Sequence, residues 1–292
     1  MDKLLKGRVA VVTGVGNGIG RAEAIGLAKH GAKVVVNDIG TSYDGKGSSS
    51  EPAEAVVKEI KDAGNIAIIN HDSVATEKGA ENIIQAAIDK YGRIDVLVNN
   101  AGVVRDPIDI YDYKSEDWEI LIKTHLYGTF YCTRRAATFM KKQGYGRIIN
   151  TSSHVGLGWR GFTGYSSAKE GIAGLTRTVA RDMAQFGVTC NAIRPIAAWR
   201  GTKEKLPRVL VNRPEDVAAL VVYLASEQAD HINGCIFEVW KGHVGIFVEP
   251  PPVQQVLKKE GNWTTEELAT AIPQTLTKGR SREKFAETFH LD

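Results

Sequence analysis

From residue 8 to residue 239 the chain repeats one unit, a short β-branched run followed by a longer stretch of helical periodicity. The runs fall at 8–13 (RVAVVT), 33–37 (KVVVN), 66–70 (IAIIN), 94–99 (IDVLVN), 147–151 (RIINT), 188–193 (VTCNAI) and 235–239 (CIFEV). Each has strand length and lacks the polar alternation of a half-wet sheet, as expected of strands covered on both faces by crossover helices. Helical stretches are expected at about 19–30, 52–63, 76–91, 116–142, 165–186 and 214–226. The one at 76–91 opens on Thr76, a capping residue, and carries Ile83, Ile84, Ala87 and Ile88 on one side. Strands alternating with helices in this way predict an α/β fold: a single Rossmann-like, doubly wound parallel sheet of about seven strands.

Three segments interrupt the rhythm. Residues 40–50 (GTSYDGKGSSS) form a polar, flexible insertion after the second strand. Residues 195–213 make a long irregular segment of the kind used as a lid or binding loop. Glu249-Pro250-Pro251-Pro252 then ends the sheet region, since consecutive prolines cannot continue a helix. The expected division is a catalytic Rossmann domain at 1–248 and a helical C-terminal extension at 249–292. Thr264 or Thr265, followed by Glu266 and Glu267, resembles an N-terminal capping arrangement there. The extension is read as an appendage that packs on the domain or on a neighbouring subunit.

Composition narrows the function classes. Apolar residues make up 43% and charged residues 24%, which is ordinary globular usage and excludes a disordered chain or a rod. A net charge of +3 over this length makes no case for a nucleic-acid or membrane-surface binder. Cys132, Cys190 and Cys235 lie far apart without a CxxC, which suits buried thiols in a reducing compartment. No 18-residue apolar run exists, and MDKLLKGRVAVVTG passes straight into a strand, so a cytoplasmic protein is expected. Cys and His show no spacing suited to a metal, with His30, His71, His154, His231, His243 and His290 scattered.

The first strand runs into Thr13-Gly14-Val15-Gly16-Asn17-Gly18-Ile19-Gly20. A glycine turn between strand and helix lets backbone N–H groups approach a pyrophosphate at the positive helix end. The spacing is T-G-x-x-x-G-x-G rather than G-x-G-x-x-G, and by itself it also fits a plain tight turn. Asp38 closes the second strand, where a carboxylate accepts hydrogen bonds from ribose hydroxyls and repels a 2′-phosphate. With no Arg or Lys at 15–17 or 39, NAD is the expected cofactor. Asp72 and Ser73 follow the third strand and are placed at the adenine edge. Asn99-Asn100-Ala101-Gly102 ends the fourth, where Ala101 and Gly102 leave room for a ring and Asn99 is suited to tying neighbouring strands.

At the other end of the sheet edge, Tyr165 and Lys169 sit four apart on an expected helix and share a face. A phenol with a pKa near 10 is a poor base at neutrality, and a neighbouring ammonium is expected to lower it. Thr151-Ser152-Ser153 closes the fifth strand at the ligand-binding edge of such folds, with a hydroxyl able to hold a substrate oxygen.

TGxxxGxG, an acidic end to the second strand, NNAG, a Ser-Ser strand end and YxxxK occur in that order. The pattern resembles the short-chain dehydrogenase/reductase family over about residues 7–245. The resemblance implies reversible hydride transfer between NAD(P) and a secondary alcohol or carbonyl at a Ser-Tyr-Lys site. Tyr165 would be the proton donor or acceptor. Lys169 would lower its pKa and bind the nicotinamide ribose, and Ser153 would orient the substrate oxygen. The cofactor set it implies is Gly14, Asn17, Gly18, Ile19, Gly20, Asp38, Asp72, Ser73, Asn100, Ala101, Gly102, Tyr165, Lys169 and Pro195. Family spacing, thirteen residues before the tyrosine, selects Ser152. The strand-end phrase TSSxxG selects Ser153, and we prefer it because loops absorb deletions more easily than strand ends change register.

Two departures from the family pattern narrow the branch. Most members carry Asn-x-x-Gly before the fifth strand, with the Asn holding a water of the proton relay. Here the residues are His125-Leu126-Tyr127-Gly128, and a histidine titrates near physiological pH. A histidine there, with VVVNDIG, HDSV, GRIDVLVNNAGVVRD and GCIFEVWKGHVG, resembles the (3R)-hydroxyacyl-CoA dehydrogenase part of peroxisomal multifunctional enzyme type 2. Where the family usually has Pro-Gly, this chain reads Arg194-Pro195-Ile196-Ala197-Ala198. Arg200, Lys203, Lys205, Arg208 and Arg213 follow, suited either to the phosphates of a CoA thioester or to solvent. Trp199, Leu206, Val209 and Leu210 give the same segment an apolar lining. The leading expectation is an NAD-dependent 3-hydroxyacyl-CoA dehydrogenase, with a hydroxysteroid or other bulky alcohol dehydrogenase as the alternative. A nucleotide-binding protein without turnover is disfavoured by the intact Tyr165 and Lys169. The resemblance also implies a homodimer or homotetramer, with helices 116–142 and 165–186 at the interface.

Overall fold

The computed structural model describes residues 3–42, 44–197 and 212–282. The chain divides into two compact units, Met1–Phe247 and Val248–Asp292. Among the described residues the first holds one sheet of eight strands: β1 (Val9–Thr13), β2 (Lys33–Asn37), β3 (Ala67–Asn70), β4 (Val96–Asn99), β5 (Gly146–Thr151), β6 (Val188–Pro195), β7 (Ile236–Trp240) and β8 (His243–Ile246). Their order is β3-β2-β1-β4-β5-β6-β7-β8, parallel throughout except that β8 runs antiparallel to β7. The seven expected runs are all strands. The eighth is an edge strand reached by a tight turn in which Gly242 takes φ +67°, a conformation favoured by glycine.

Alternation along the strands sorts the core into two layers. Ala10 and Val12, Val34 and Val36, and Val96 and Val98 face one side. There α1 (Gly18–Lys29), α2 (Glu51–Asp62) and α7 (Pro214–Leu224) cover them with Leu27, Ile60 and Val221. Val9 and Val11, Val35 and Leu97 face the other, under Ile83 of α3 (Glu77–Tyr91), Met140 of α5 (Gly128–Gln143) and Met183 of α6 (Thr163–Met183). Both faces are therefore dry, which is why the strand sequences lack a polar phase. Cys132 and Cys190 lie in the second layer, and burial pushes both thiols up to about 12, so neither is a nucleophile at neutral pH.

The expected helix at 116–142 runs without a break but is not α-helical throughout. α4 (Ser115–Leu121) passes into a π-helical stretch, Ile122–Tyr127, before α5 begins at Gly128. Thr76 caps α3 as expected, its hydroxyl accepting from Gly79 N at 3.1 Å. The segment expected as a basic lid lies outside the described residues from 198 to 211, so Trp199, Arg200, Lys203, Lys205, Leu206, Arg208, Val209 and Leu210 are not placed. Arg213 belongs instead to the start of α7, paired with Asp216 at 3.2 Å. Among the described residues of the second unit, the helical expectation is met by α8 (Thr265–Gln274). Thr264 and Glu267 cap it reciprocally, at 3.3 and 2.7 Å. Among the described residues no helix is long and apolar enough to cross a membrane.

One buried charge centre stands out in α1. Glu23 is fully buried, neither carboxyl oxygen has a hydrogen-bond partner, and burial pushes its carboxyl up to about 8. A raised carboxyl binds its proton more tightly folded than unfolded. Stability is therefore highest below the unfolded value and is lost as pH rises toward about 8, by at most about 1.4 kcal/mol per pH unit. Glu23→Gln removes that dependence. Urea unfolding of both proteins between about pH 5 and pH 8 should show the variant's advantage growing with pH; a constant difference would mean that Glu23 does not hold a proton in the fold.

Candidate active site

Parallel strands bring their C-terminal ends to one edge of the sheet, and the ends of β1, β2, β4, β5 and β6 carry the residues singled out in the sequence. At the β1–β4 junction the two chains interlock. Asn100 donates its side-chain amide to Thr13 O (3.0 Å) and Gly14 O (2.9 Å). Thr13 Oγ1 accepts from the backbone N–H groups of Asn100 and Ala101, both at 3.1 Å. The approach is too close for side chains: a Cβ on Gly14 would lie 2.6 Å from Ala101 Cα, and one on Gly20 would lie 2.3 Å from Asn100 Nδ2. Asn99 ties strands as expected, donating to Asn150 Oδ1 at 2.9 Å and Thr133 Oγ1 at 3.0 Å.

The glycine turn has the shape of an anion cradle. Gly14 and Gly18 take φ of +71° and +57°. The N-cap of α1, Asn17, makes no side-chain capping bond, and the first turn holds no acidic residue. Asp38 braces the turn, accepting from Gly16 N and from Gly40 N, each at 2.6 Å. A helix start with free amides and a carboxylate at the end of the next strand fit the phosphates and ribose of a dinucleotide. Asp72 is more fully engaged than the sequence suggested. Its carboxylate accepts from Asn70 Nδ2 (2.8 Å) and Asn82 Nδ2 (3.0 Å), and Ser73 Oγ accepts from Ala75 N at 3.2 Å. These two residues shape the entry to α3 at the same sheet edge.

The chemical end lies where β5 meets α6. Ser152 is spent on structure, its hydroxyl donating to Lys169 O at 2.9 Å. Ser153, the next residue, lies close enough to Tyr165 for its hydroxyl to act on the phenol, and its Oγ accepts from Val155 N at 3.2 Å. Lys169 is 3% exposed and donates to Thr151 O at 2.6 Å, with its Nζ 5.5 Å from the centre of the Tyr165 ring. Ser153, Tyr165 and Lys169 thus converge on one spot. Their electrostatics differ from the sequence expectation. Burial pushes the Tyr165 phenol above its ordinary value, with the Ser153 hydrogen bond working the other way, and burial pulls Lys169 down to about 7. A lysine partly neutral at pH 7 supplies only part of the charge needed to lower the phenol.

His125 belongs to the same cluster. Its ring meets Tyr165 edge-on, with centroids 5.1 Å apart and planes at 79°. Nε2 lies 2.7 Å from Val103 O and 3.3 Å from Val103 N, and the shorter contact, to a carbonyl oxygen, assigns the proton to Nε2. Nδ1 is then a buried acceptor without a partner. Burial, and after it the charge of Lys169, holds the imidazole well below its ordinary value. The ring is therefore neutral across the physiological range, contrary to the expectation that it titrates there. Gly102 makes room for it: a Cβ would fall 2.4 Å from His125 Cε1.

Sequence reading missed a further buried charge beside this cluster. Arg194 of β6 is 2% exposed, donating to Ser153 O at 3.3 Å and to Glu170 Oε2 at 2.9 Å. The signal available was an arginine in a strand that carries no other charge.

Residues 8–199 match the family described as short chain dehydrogenase. The peroxisomal multifunctional enzyme type 2 of Mus musculus is 46% identical over 242 residues, 82% of this chain and 32% of that enzyme. The chain spans about a quarter to a third of the length of the Neurospora crassa and mouse multifunctional relatives. Hydroxyacyl-CoA dehydrogenase ChsB1 of Mycobacterium tuberculosis is 35% identical over 286 residues, covering 92% of this chain and 88% of the relative. A crystal structure of a short chain dehydrogenase from Mycobacterium avium superposes with a TM-score of 0.83 at 40% identity, covering 95% of this chain and 97% of the other. With a matching sheet, sequence and fold relatives, the chain belongs to the short-chain dehydrogenase/reductase family of oxidoreductases.

Proposed function

We propose that the protein is an NAD-dependent dehydrogenase that interconverts a 3-hydroxyacyl-CoA thioester and its 3-keto form. The observation that carries this reading is the convergence of Ser153, Tyr165 and Lys169 at the end of β5, beside a glycine cradle braced by Asp38. The thioester as substrate class is supported by the names of the relatives, a hydroxyacyl-CoA dehydrogenase among them.

In this reading Gly14, Asn17, Gly18, Ile19 and Gly20 hold the dinucleotide's phosphates, and Asp38 its adenosine ribose. Asp72 and Ser73 border the adenine side. Asn100, Ala101, Gly102, Pro195, Tyr165 and Lys169 border the nicotinamide side. Bound there, NAD supplies a nicotinamide ring that accepts or returns a hydride. The remaining work falls to the chain. In alcohol oxidation the Tyr165 phenolate takes the proton of the substrate hydroxyl; in ketone reduction the neutral phenol returns it. Ser153 hydrogen-bonds the substrate oxygen and keeps it beside the phenol. Lys169 holds positive charge near the phenolate as it forms. His125, neutral with Nδ1 open as an acceptor, takes the place of the family's asparagine in ordering the proton's exit.

The deciding experiment follows NADH formation from a (3R)-hydroxyacyl-CoA and from a 17β-hydroxysteroid, each with NAD and NADP, using Tyr165→Phe as the blank. Oxidation of the thioester with NAD is expected, and Tyr165→Phe should lose about 10²-fold or more while still binding NADH. Turnover of the steroid alone would overturn the thioester assignment, and an active Tyr165→Phe enzyme would overturn the acid–base role.

Because the phenol is held above its ordinary value, kcat for alcohol oxidation should climb with pH from about 7 to beyond 9, while ketone reduction stays flat from about pH 6 to 8. A flat oxidation profile would show that Tyr165 is already ionised. The His125–Gly102 contact gives a steric test. Gly102→Ala should cut kcat by about 10-fold or more by displacing the imidazole, and adding His125→Asn should recover activity by relieving the overlap. No recovery would mean that Gly102 acts elsewhere.

A further inference from the structure

We propose that Arg194 is a positioning residue of this site, a buried guanidinium that clamps the Ser153 backbone to the helix carrying Tyr165 and Lys169. The inference rests on the proposed dehydrogenase reading. Arg194 reaches out of β6, a third element beside β5 and α6. One arm, Nη1, donates to Ser153 O at 3.3 Å; the other, Nη2, donates to Glu170 Oε2 at 2.9 Å. Glu170 follows Lys169 directly in α6. One rigid fork therefore fixes the carbonyl of the proposed substrate-orienting serine relative to the turn of helix that presents the lysine.

The surroundings argue that the charge is there for placement. Phe247 lies over the guanidinium, 4.8 Å from Cζ to ring centroid, and Nε is buried without a partner. A buried, incompletely satisfied cation is a poor device for stability alone, since an apolar side chain of similar size often serves as well. What it provides is a fixed distance between two elements. The region already packs closely: a Cβ on Gly156 would lie 3.2 Å from Lys169 Cβ and 3.4 Å from Glu170 Oε2. Ser153 itself is extended, with φ −163°, and its carbonyl also accepts from Gly156 N at 3.1 Å. Without the clamp, that carbonyl keeps only its bond from Gly156 N, and the peptide can shift and carry the hydroxyl away from Tyr165.

The test is a double-mutant cycle in the full-length protein, with wild type, Arg194→Met, Ser153→Ala and the double variant. Arg194→Met should lower kcat by about 10- to 100-fold while KM and NADH affinity stay unchanged. In the Ser153→Ala background it should add almost nothing, because the group it positions is gone. Arg194→Lys should restore part of the loss, since one ammonium keeps one of the two contacts. Equal losses in both backgrounds, or no loss in either, would overturn the proposal. A fully active Ser153→Ala enzyme would overturn the serine's role, and this proposal with it, and is recognisable from that single variant. If Arg194→Met fails to fold, Glu170→Gln, altered at the half-exposed end of the clamp, carries the same cycle and must show the same non-additivity.

Discussion

Everything at the ligand edge depends on how closely β1 and β4 approach where they end. Their strands pair through Ala10–Val96, Val11–Leu97 and Val12–Val98. Beyond Thr13 the first chain turns into α1, which packs on one face of the sheet. Beyond Asn99 the other chain leads on toward the helices of the opposite face. A crevice opens between them, and Asn100 holds it at a fixed width through its bonds to Thr13 and Gly14. Glycine at 14 and 20 is the steric condition for that contact. The same crevice exposes the start of α1, where unpaired amides and the helix dipole favour an anion. One packing constraint thus produces both the binding geometry and its electrostatic character.

The chemical end shows how a folded interior handles groups that must change charge. Lys169 is buried and Tyr165 partly buried, and desolvation disfavours the ionised form of each, raising one pKa and lowering the other. Phenol and amine can therefore both stand neutral near pH 7, and the site need not hold an unpaired charge at rest. His125 follows the same rule and stays neutral. Arg194 cannot, because a guanidinium does not release its proton in proteins. It is given a carboxylate partner at the half-exposed rim and an aromatic face inside.

Local patterns were the legible part of the sequence. Seven strands followed from β-branched runs, and the glycine turn, Asp38 and the Tyr165–Lys169 pair followed from spacing, because each lies within one turn or one strand end. Features set by tertiary neighbours were not legible. The edge strand β8 has Val244 and Ile246 alternating outward, but at four residues it is too short to read as a strand. Nothing in Ile122–Tyr127 marks a π-helical stretch, and the direction of the His125 and Tyr165 shifts depends on burial that no spacing reveals. Spacing and the strand-end phrase point to different serines, with Ser153 preferred, and neither reveals that the Ser152 hydroxyl donates to Lys169 O.

Two bulky side chains beside the site, His125 and Arg194, each fit because of a neighbour remote in sequence. An imidazole at 125 is bulkier than an amide, and it fits because residue 102 has no side chain and the backbone around 125 is π-helical. An arginine at 194 brings a charge into a dry strand, and it fits because residue 170 is a carboxylate within 2.9 Å. Neither partner is close in sequence, yet Gly102 belongs to the proposed cofactor set and Glu170 follows Lys169 directly. Changes at 125 and 194 are therefore transmitted to the same few atoms around Tyr165. The packing of this site, as much as its list of reactive groups, fixes the surroundings of Tyr165.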